Sequence, residues 1–373
     1  MDGLTDRMTE PAVARLNARL HDVPGAEPVD FRSGALTAYI PAILSWDGRC
    51  FDPGVLADVR DAVSAMHGGR GLFGLSLEIG SGSIKLFARR WLAGETATVA
   101  NIKLQAPHGH GGKTYASALN RLIDIFAEGL SLIPPADFDP SAPERLFAAF
   151  AEPRDFLCVY GTQSLRVLTR AHGREALERV RILDGDEEGL IAFASIVPEA
   201  AKALPGTMAL EIGSGSTEIV RAGNDGRPHA LTLAIGGKTG NPPLAALEKL
   251  LATGKAGHRI DKWLESGEAA VAAFFADPPQ AQALYINASR ASAGFRDFAR
   301  GFHPDAGEEM PIDDALVTAF QHAHPHDKFG TKALILLAVG RGLGLKGYRE
   351  GTRGGLKMGV AALLSQGLLR FKG

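Results

Sequence analysis

The chain has 373 residues, 45% of them apolar and 22% charged, which suits two domains of ordinary size and excludes a wholly disordered chain. Its 40 basic side chains against 42 acidic ones give a formal net charge of -2, without the basic excess of a bulk nucleic-acid binder. Two cysteines, Cys50 and Cys158, make no disulfide framework and fit a reducing cytoplasm.

Met1 to Pro11 is polar and lacks the apolar stretch of a secretion signal. Residues 1–70 read as an N-terminal extension of unknown role, periodic enough over Ala35–Ser45 and Leu56–Met66 to be folded. Leu72–Leu77 and Ile84–Ala88 then flank a glycine turn as two strands. Tyr115–Ile133 has the spacing of an amphipathic helix and is ended by Pro134-Pro135. Phe156–Tyr160 reads as a buried strand, Ser164–His172 and Arg174–Val180 as helices, Arg181–Leu183 as a short strand and Asp186–Val197 as a helix. Met208–Leu210 and Ile219–Ala222 flank a second glycine turn, and Gly223-Asn224-Asp225-Gly226 leads to a third strand over Ala230–Ile235. Helix and short extended pieces alternate through Pro243–Ala252, Ala269–Ala276 and Leu284–Phe302. Helices over Thr331–Leu345 and Lys357–Leu369 close the chain. The longest apolar run near the end, Ala333–Val339, falls far short of the ~20 residues that span a bilayer, so no membrane partner is expected.

An internal repeat organises this order. Leu77-Glu78-Ile79-Gly80-Ser81-Gly82-Ser83 recurs, residue for residue, as Leu210-Glu211-Ile212-Gly213-Ser214-Gly215-Ser216, 133 positions later. Composition alone would produce such a match about once in a thousand chains of this size. Glycine removes Cβ and permits positive φ, so backbone N–H groups can converge on an anion, and the serines add hydroxyl donors. An acidic residue at the strand end before such a turn can hold a hydrated Mg²⁺ that bridges to phosphate oxygens. Two turns, one per domain, are expected to clasp one phosphorylated ligand.

The order of motifs resembles the exopolyphosphatase / guanosine-pentaphosphate phosphohydrolase (Ppx/GppA-like) family, within the actin–Hsp70–hexokinase superfold. Leu210–Val220, LEIGSGSTEIV, resembles that family's second phosphate motif, and Leu77–Leu86, LEIGSGSIKL, its first. Gly161–Arg166, GTQSLR, resembles the stretch that brings an arginine to the substrate. Asp184–Phe193, DGDEEGLIAF, resembles the segment carrying the general base, and Ala333–Leu364 the final glycine-containing helix. The similarity covers roughly residues 72–365. It implies an α/β architecture of duplicated actin-like, ribonuclease H-like ATPase-type domains, 71–200 and 201–373, with a cleft between them.

Residue by residue, the resemblance makes Glu188 the catalytic carboxylate and Arg166 the phosphate-binding arginine. It places Gly80, Ser81, Gly82, Ser83, Gly213, Ser214, Gly215, Ser216 and Thr217 in the phosphate cradle, closed by Glu218. The expected metal is Mg²⁺, with Mn²⁺ as the alternative, held by Glu78 and Glu211. The family has Asp at both metal positions and Asn where Gly82 stands, and its later A-S-G-T-like stretch is here Ala288-Ser289-Arg290-Ala291. The implied activity is Mg²⁺-dependent cleavage of terminal phosphoanhydride bonds in short polyphosphate or a nucleotide polyphosphate such as guanosine pentaphosphate. A phosphate-binding protein without turnover and a phosphotransferase of the same superfold stay open. The expected partner is a phosphorylated small molecule or short polyphosphate, not nucleic acid; a homodimer is the one protein assembly considered.

Other signals are set aside. Gly111-Gly112-Lys113-Thr114 and Gly237-Lys238-Thr239 resemble the end of a P-loop, but Pro107 and Thr232 stand where its leading glycine is needed. His322, His324 and His326, with His303 nearby, and His108 and His110 read as solvated polar segments rather than metal sites.

Overall fold

The computed structural model describes residues 11, 13–22, 26–30, 36–40, 55, 57–59, 61, 72–80, 83–92, 95–105, 155–163, 165–166, 180–239, 242–276, 283–287, 290–323, 328–351, 356 and 359–360. The chain packs as two units, Met1–Leu183 with Val360–Gly373, and Asp184–Gly359. The expected helices at 115–133 and 174–179 and most of 357–369 lie outside the described residues.

In the first unit the strands are β1 (Glu27–Asp30), β2 (Leu36–Ile40), β3 (Leu72–Ile79), β4 (Ser83–Leu92), β5 (Glu95–Gln105), β6 (Asp155–Gly161) and β7 (Arg181–Ile182). They form one sheet in the order β1-β2-β5-β4-β3-β6-β7. β3, β4 and β5 run antiparallel in sequence, while β6 lies parallel to β3 and β7 parallel to β6. The N-terminal extension has a structural role here: β2 pairs parallel with β5 and β1 antiparallel with β2, so both widen the first sheet.

The second unit runs α1 (Gly185–Ile196), α2 (Glu199–Lys202), β8 (Thr207–Ile212), β9 (Thr217–Ala222), β10 (Pro228–Leu233), α3 (Leu244–Thr253), α4 (Glu268–Phe275), β11 (Ala283–Ile286), α5 (Arg290–Phe302), β12 (Glu309–Pro311), α6 (Asp314–Ala323), α7 (Lys328–Gly342) and β13 (Gly347–Glu350). Its sheet has the order β10-β9-β8-β11-β13-β12. β8, β9 and β10 are antiparallel neighbours, β11 is parallel to β8, and β13 is parallel to β11. Both sheets therefore share one plan. The strand before the glycine turn has the next two strands of an antiparallel meander on one side and two parallel strands on the other; β2 and β1 extend the first sheet beyond its meander, and β12 pairs antiparallel with β13 at the far edge of the second. The repeat seen in the sequence is a repeat of topology.

Alternation along β8 sorts its side chains between two cores. Met208 and Leu210 join the large core with Leu231, Leu233, Leu247, Leu250, Phe274, Phe320 and Ile335. Ala209 faces the other way, with Val220, Ala222 and Ala230, against Ala192, Phe193 and Ile196 of α1. Small residues on that face let α1 come close. A Cβ on Gly185 would stand 2.2 Å from Thr232 Cγ2, and one on Gly189 would stand 3.0 Å from Val220 Cγ2. This packing moves the division of the chain to Leu183/Asp184, ahead of the 200/201 boundary read from sequence, because α1 belongs with the second sheet. Among the described residues no helix is long and apolar enough to cross a membrane.

Candidate active site

Both glycine turns close on the same bond. Gly80 N–H donates to the Ser83 carbonyl at 3.0 Å, and Gly213 N–H donates to the Ser216 carbonyl at 2.8 Å. A Cβ on either glycine would stand 3.2 Å from that serine oxygen. The closing bond at the two glycines is thus the same. Ser81 and Gly82 lie outside the described residues. Ser83 and Ser216 are buried at the start of the returning strand.

The carboxylates before the turns meet different partners. Glu78, at the end of β3, lies in register with Lys85 on β4, and the lysine ammonium donates to Glu78 Oε1. Glu211, at the equivalent place in β8, lies in register with Glu218 on β9. Asn287, just after β11, donates from Nδ2 to both oxygens of Glu211 at 2.8 and 3.2 Å. Lys332, in the first turn and a half of α7, donates its ammonium to the Ile212 carbonyl at the entry of the turn. Glu218 is 1% exposed.

Three consecutive acidic residues, Asp186, Glu187 and Glu188, lie in the first turn of α1. Asp184 caps the helix and Glu187 completes a capping box: Glu187 N–H donates to Asp184 Oδ1 at 2.7 Å and Asp184 N–H donates to Glu187 Oε2 at 3.1 Å. Asp186 accepts the hydroxyls of Ser266 at 2.6 Å and Thr232 at 3.2 Å, which ties the helix to β10. Glu188, the last of the three, is 7% exposed. Its neighbour Gly189 sits so close to β9 that a Cβ there would stand 3.4 Å from Glu218 Cβ. Glu211 and Glu218 alternate with Ala209, Val220 and Ala222, so they share the sheet face on which α1 packs. Glu188, Glu211 and Glu218 are thus gathered on one face of the second unit.

Two expected ligands have work inside the fold. Arg166 is buried and its Nη1 donates to the Leu183 carbonyl at 3.0 Å, fixing the end of the short β7 segment. Thr217 donates its hydroxyl to the Ile235 carbonyl at 2.5 Å, so that proton holds the end of β10. The sequence reading missed Asn287 and Lys332. The only local signal for Asn287 is its place at the end of a short apolar strand, and Lys332 carries none. Among the described residues no group of three or more His, Cys, Asp or Glu is placed to hold a metal. His322 is exposed at the end of α6, His303 pairs with Asp313 at 2.7 Å, and His108, His110, His324 and His326 lie outside the described residues.

No family profile matches the chain and no curated protein does. Solved structures do match. The PPX-GPPA enzyme of Aquifex aeolicus superposes with a TM-score of 0.50 at 13% identity, over 78% of this chain and 99% of that one. An exopolyphosphatase from Cytophaga hutchinsonii gives a TM-score of 0.45 at 14% identity, over 80% of this chain and 99% of that one. At such identities the likeness is one of fold. The chain has the duplicated actin-like α/β fold, the fold it shares with the Aquifex PPX-GPPA enzyme.

Proposed function

We propose that the protein is a Mg²⁺-dependent phosphohydrolase that cleaves terminal phosphoanhydride bonds of short polyphosphate or a nucleotide polyphosphate. The observation that carries this reading is the gathering of Glu211, Glu218 and buried Glu188 on one face of the second sheet, beside a glycine turn. Hydrolysis of a phosphoanhydride needs donors around the phosphoryl group, relief of its charge, and a base for the attacking water. The turn supplies backbone N–H groups and the Ser214 and Ser216 hydroxyls for the first need. Glu188 takes the proton from water as the new P–O bond forms, and the leaving phosphate departs with the electrons of the broken P–O bond.

A divalent cation fits the second turn. Like charges directly opposite on neighbouring strands repel, and Glu211 and Glu218 stand in that relation. Hard oxygen donors favour Mg²⁺ or Mn²⁺, and Mg²⁺ typically takes one or two carboxylates and fills its shell with water and phosphate oxygens. Glu211, oriented by Asn287, and Glu218 would hold the ion, which when bound neutralises charge on the phosphoryl oxygens. Glu78 is left out of this assignment, because the Lys85 ammonium already neutralises it.

The test is phosphate release from tripolyphosphate and a guanosine polyphosphate by the full chain, with Mg²⁺, with Mn²⁺ and with chelator. Release that depends on the metal supports the reading. Binding of these compounds without release would place the protein among binding-only members of the fold, and a phosphorylated acceptor in place of free phosphate would make it a phosphotransferase.

A further inference from the structure

The mechanism above does not use the loop that lies against the second glycine turn. Gly236-Gly237-Lys238-Thr239 follows β10 and folds back onto Gly213–Ser216. Gly237 N–H donates to the Gly213 carbonyl at 3.0 Å, and Lys238 N–H donates to the Ser214 carbonyl at 2.8 Å. A Cβ on Gly236 would stand 2.6 Å from Gly215 N and from the Ser214 carbonyl carbon, so only glycine lets the two segments lie this close. Thr239 braces the loop, accepting Gly236 N–H at 3.0 Å and donating its hydroxyl to the Gly236 carbonyl at 2.8 Å. Thr217 fixes the other end through the Ile235 carbonyl. Two strand-end segments that sequence separates by some twenty residues therefore form one platform. Lys238 is its exposed cationic member, and its main chain is bonded to the turn itself.

We propose that this loop is a second arm of the phosphate site, and that Lys238 is a specificity-determining residue that takes a second phosphoryl group. The favoured ligand class is the phosphoanhydrides, from pyrophosphate upward, over orthophosphate. The inference rests on the reading of Gly213–Ser216 as a phosphate cradle and says which ligands that cradle selects. A lysine side chain spans about 6 Å, enough to carry its charge from a backbone bonded to Ser214 to a phosphate next to the one in the turn. The ammonium is a compact charge with three donors and suits a freely rotating phosphate. Orthophosphate fills the turn and offers no second anionic group. An anhydride always does.

The test measures binding of orthophosphate, pyrophosphate and tripolyphosphate by calorimetry in the presence of Mg²⁺, with full-length protein carrying Glu188→Gln so that turnover does not consume the ligand. Added to that protein, Lys238→Met is expected to weaken pyrophosphate and tripolyphosphate about tenfold and orthophosphate less than twofold. Lys238→Arg should restore most of the difference, and Lys249→Met, on the exposed side of α3, should change nothing. Unchanged anhydride affinity in Lys238→Met, or an equal loss for all three anions, overturns the proposal. If Lys238→Met loses anhydride affinity selectively while the protein with Glu188 intact releases no phosphate, the hydrolase reading fails and the role of Lys238 stands. If the protein with Glu188 intact hydrolyses the anhydrides while Lys238→Met leaves the affinities as they were, the reverse holds. A parent that binds none of the three overturns both.

Discussion

In the first unit the carboxylate before the glycine turn lies opposite a lysine, Glu78 against Lys85. In the second, the same heptapeptide places Glu211 opposite Glu218. Both turns are closed by the same N–H. What differs is one residue, two positions beyond the end of the identical stretch, that returns on the neighbouring strand. In the first unit it supplies the neutralising charge from within the chain. In the second it adds another negative charge beside Glu211, the pairing on which the proposed cation role rests. A glycine-turn motif is therefore incomplete as a string, because its electrostatics depend on the register partner across the hairpin.

The largest effect should come from the second unit's buried helix carboxylate. Glu188→Gln keeps size and hydrogen bonding and removes basicity. It is expected to lower kcat by about 10²–10⁴ with little change in KM, the pattern of an interaction made only in the transition state. Glu187→Gln is a stringent control, because a glutamine oxygen still accepts the Asp184 N–H and keeps the capping box. Equal small losses in phosphate release for the two variants would reduce Glu188 to another acidic residue at a helix start.

The comparison itself can be inverted by exchanging the register partners. Glu218→Lys gives the second turn the pairing of the first, and should abolish Mg²⁺ dependence together with activity while circular dichroism stays that of a folded protein. Lys85→Glu gives the first turn the pairing of the second. With Glu78 then facing a like charge, it should cost about 1–3 kcal/mol in urea unfolding, partly recovered by added Mg²⁺ if the turn alone makes a cation site. Glu211 and Glu78 sharpen this further: Glu211→Gln should raise the Mg²⁺ concentration needed for half-maximal rate, and Glu78→Gln should not. The opposite ranking would move the cation to the first unit.

How α1 reaches the second turn is a matter of close packing. Gly185→Ala places a methyl where Thr232 already stands, and should destabilise the second unit by about 1–3 kcal/mol. Gly257→Ala, with open space around it, is the matched control and should lie within about 0.5 kcal/mol of the parent in the same unfolding experiment.

The hairpins around the turns were legible because apolar runs flank a glycine-serine segment, and because the Asn224-Asp225-Gly226 turn is a strong local signal. That turn forms as read: Asp225 accepts Arg227 N–H at 3.0 Å, a bond that holds its carboxyl below the ordinary range, and Gly226 has φ of 76°. The third strand begins at Pro228, two residues before the apolar run, because pairing with β9 starts as soon as the turn closes. β5 was not legible. Its eleven residues mix Thr, Ala, Asn and Lys, and its length is set by pairing with β4 and β2 rather than by its own pattern. The site shows the same limit. Glu188 and Glu211 lie in recognisable motifs, but Asn287 and Lys332 come to the second turn from 76 and 120 residues away in sequence. Nothing near them in the chain reports that meeting.

The smallest effect separates the units by pH. Tyr348 of β13 is fully buried in the large core of the second unit, and that burial, reinforced by the nearby charge of Glu350, raises its hydroxyl well above the ordinary tyrosine value of 10.0. The folded state therefore holds the phenol proton at a pH where the unfolded chain has released it. Above about pH 10 the unfolded state binds fewer protons than the native one, so stability falls as pH rises, by about 1.4 kcal/mol per unit for this one group. The contribution is fully present below the unfolded value and is lost progressively above it. Tyr348→Phe removes the titrating group and should flatten that slope between pH 10 and 11, whatever it does to stability at pH 7. Urea unfolding followed separately for each unit should show the change in the second unit alone. An equal alkaline loss in parent and Tyr348→Phe would mean that the phenol ionises in the folded protein as it does in the unfolded chain, and that the second core admits water at β13.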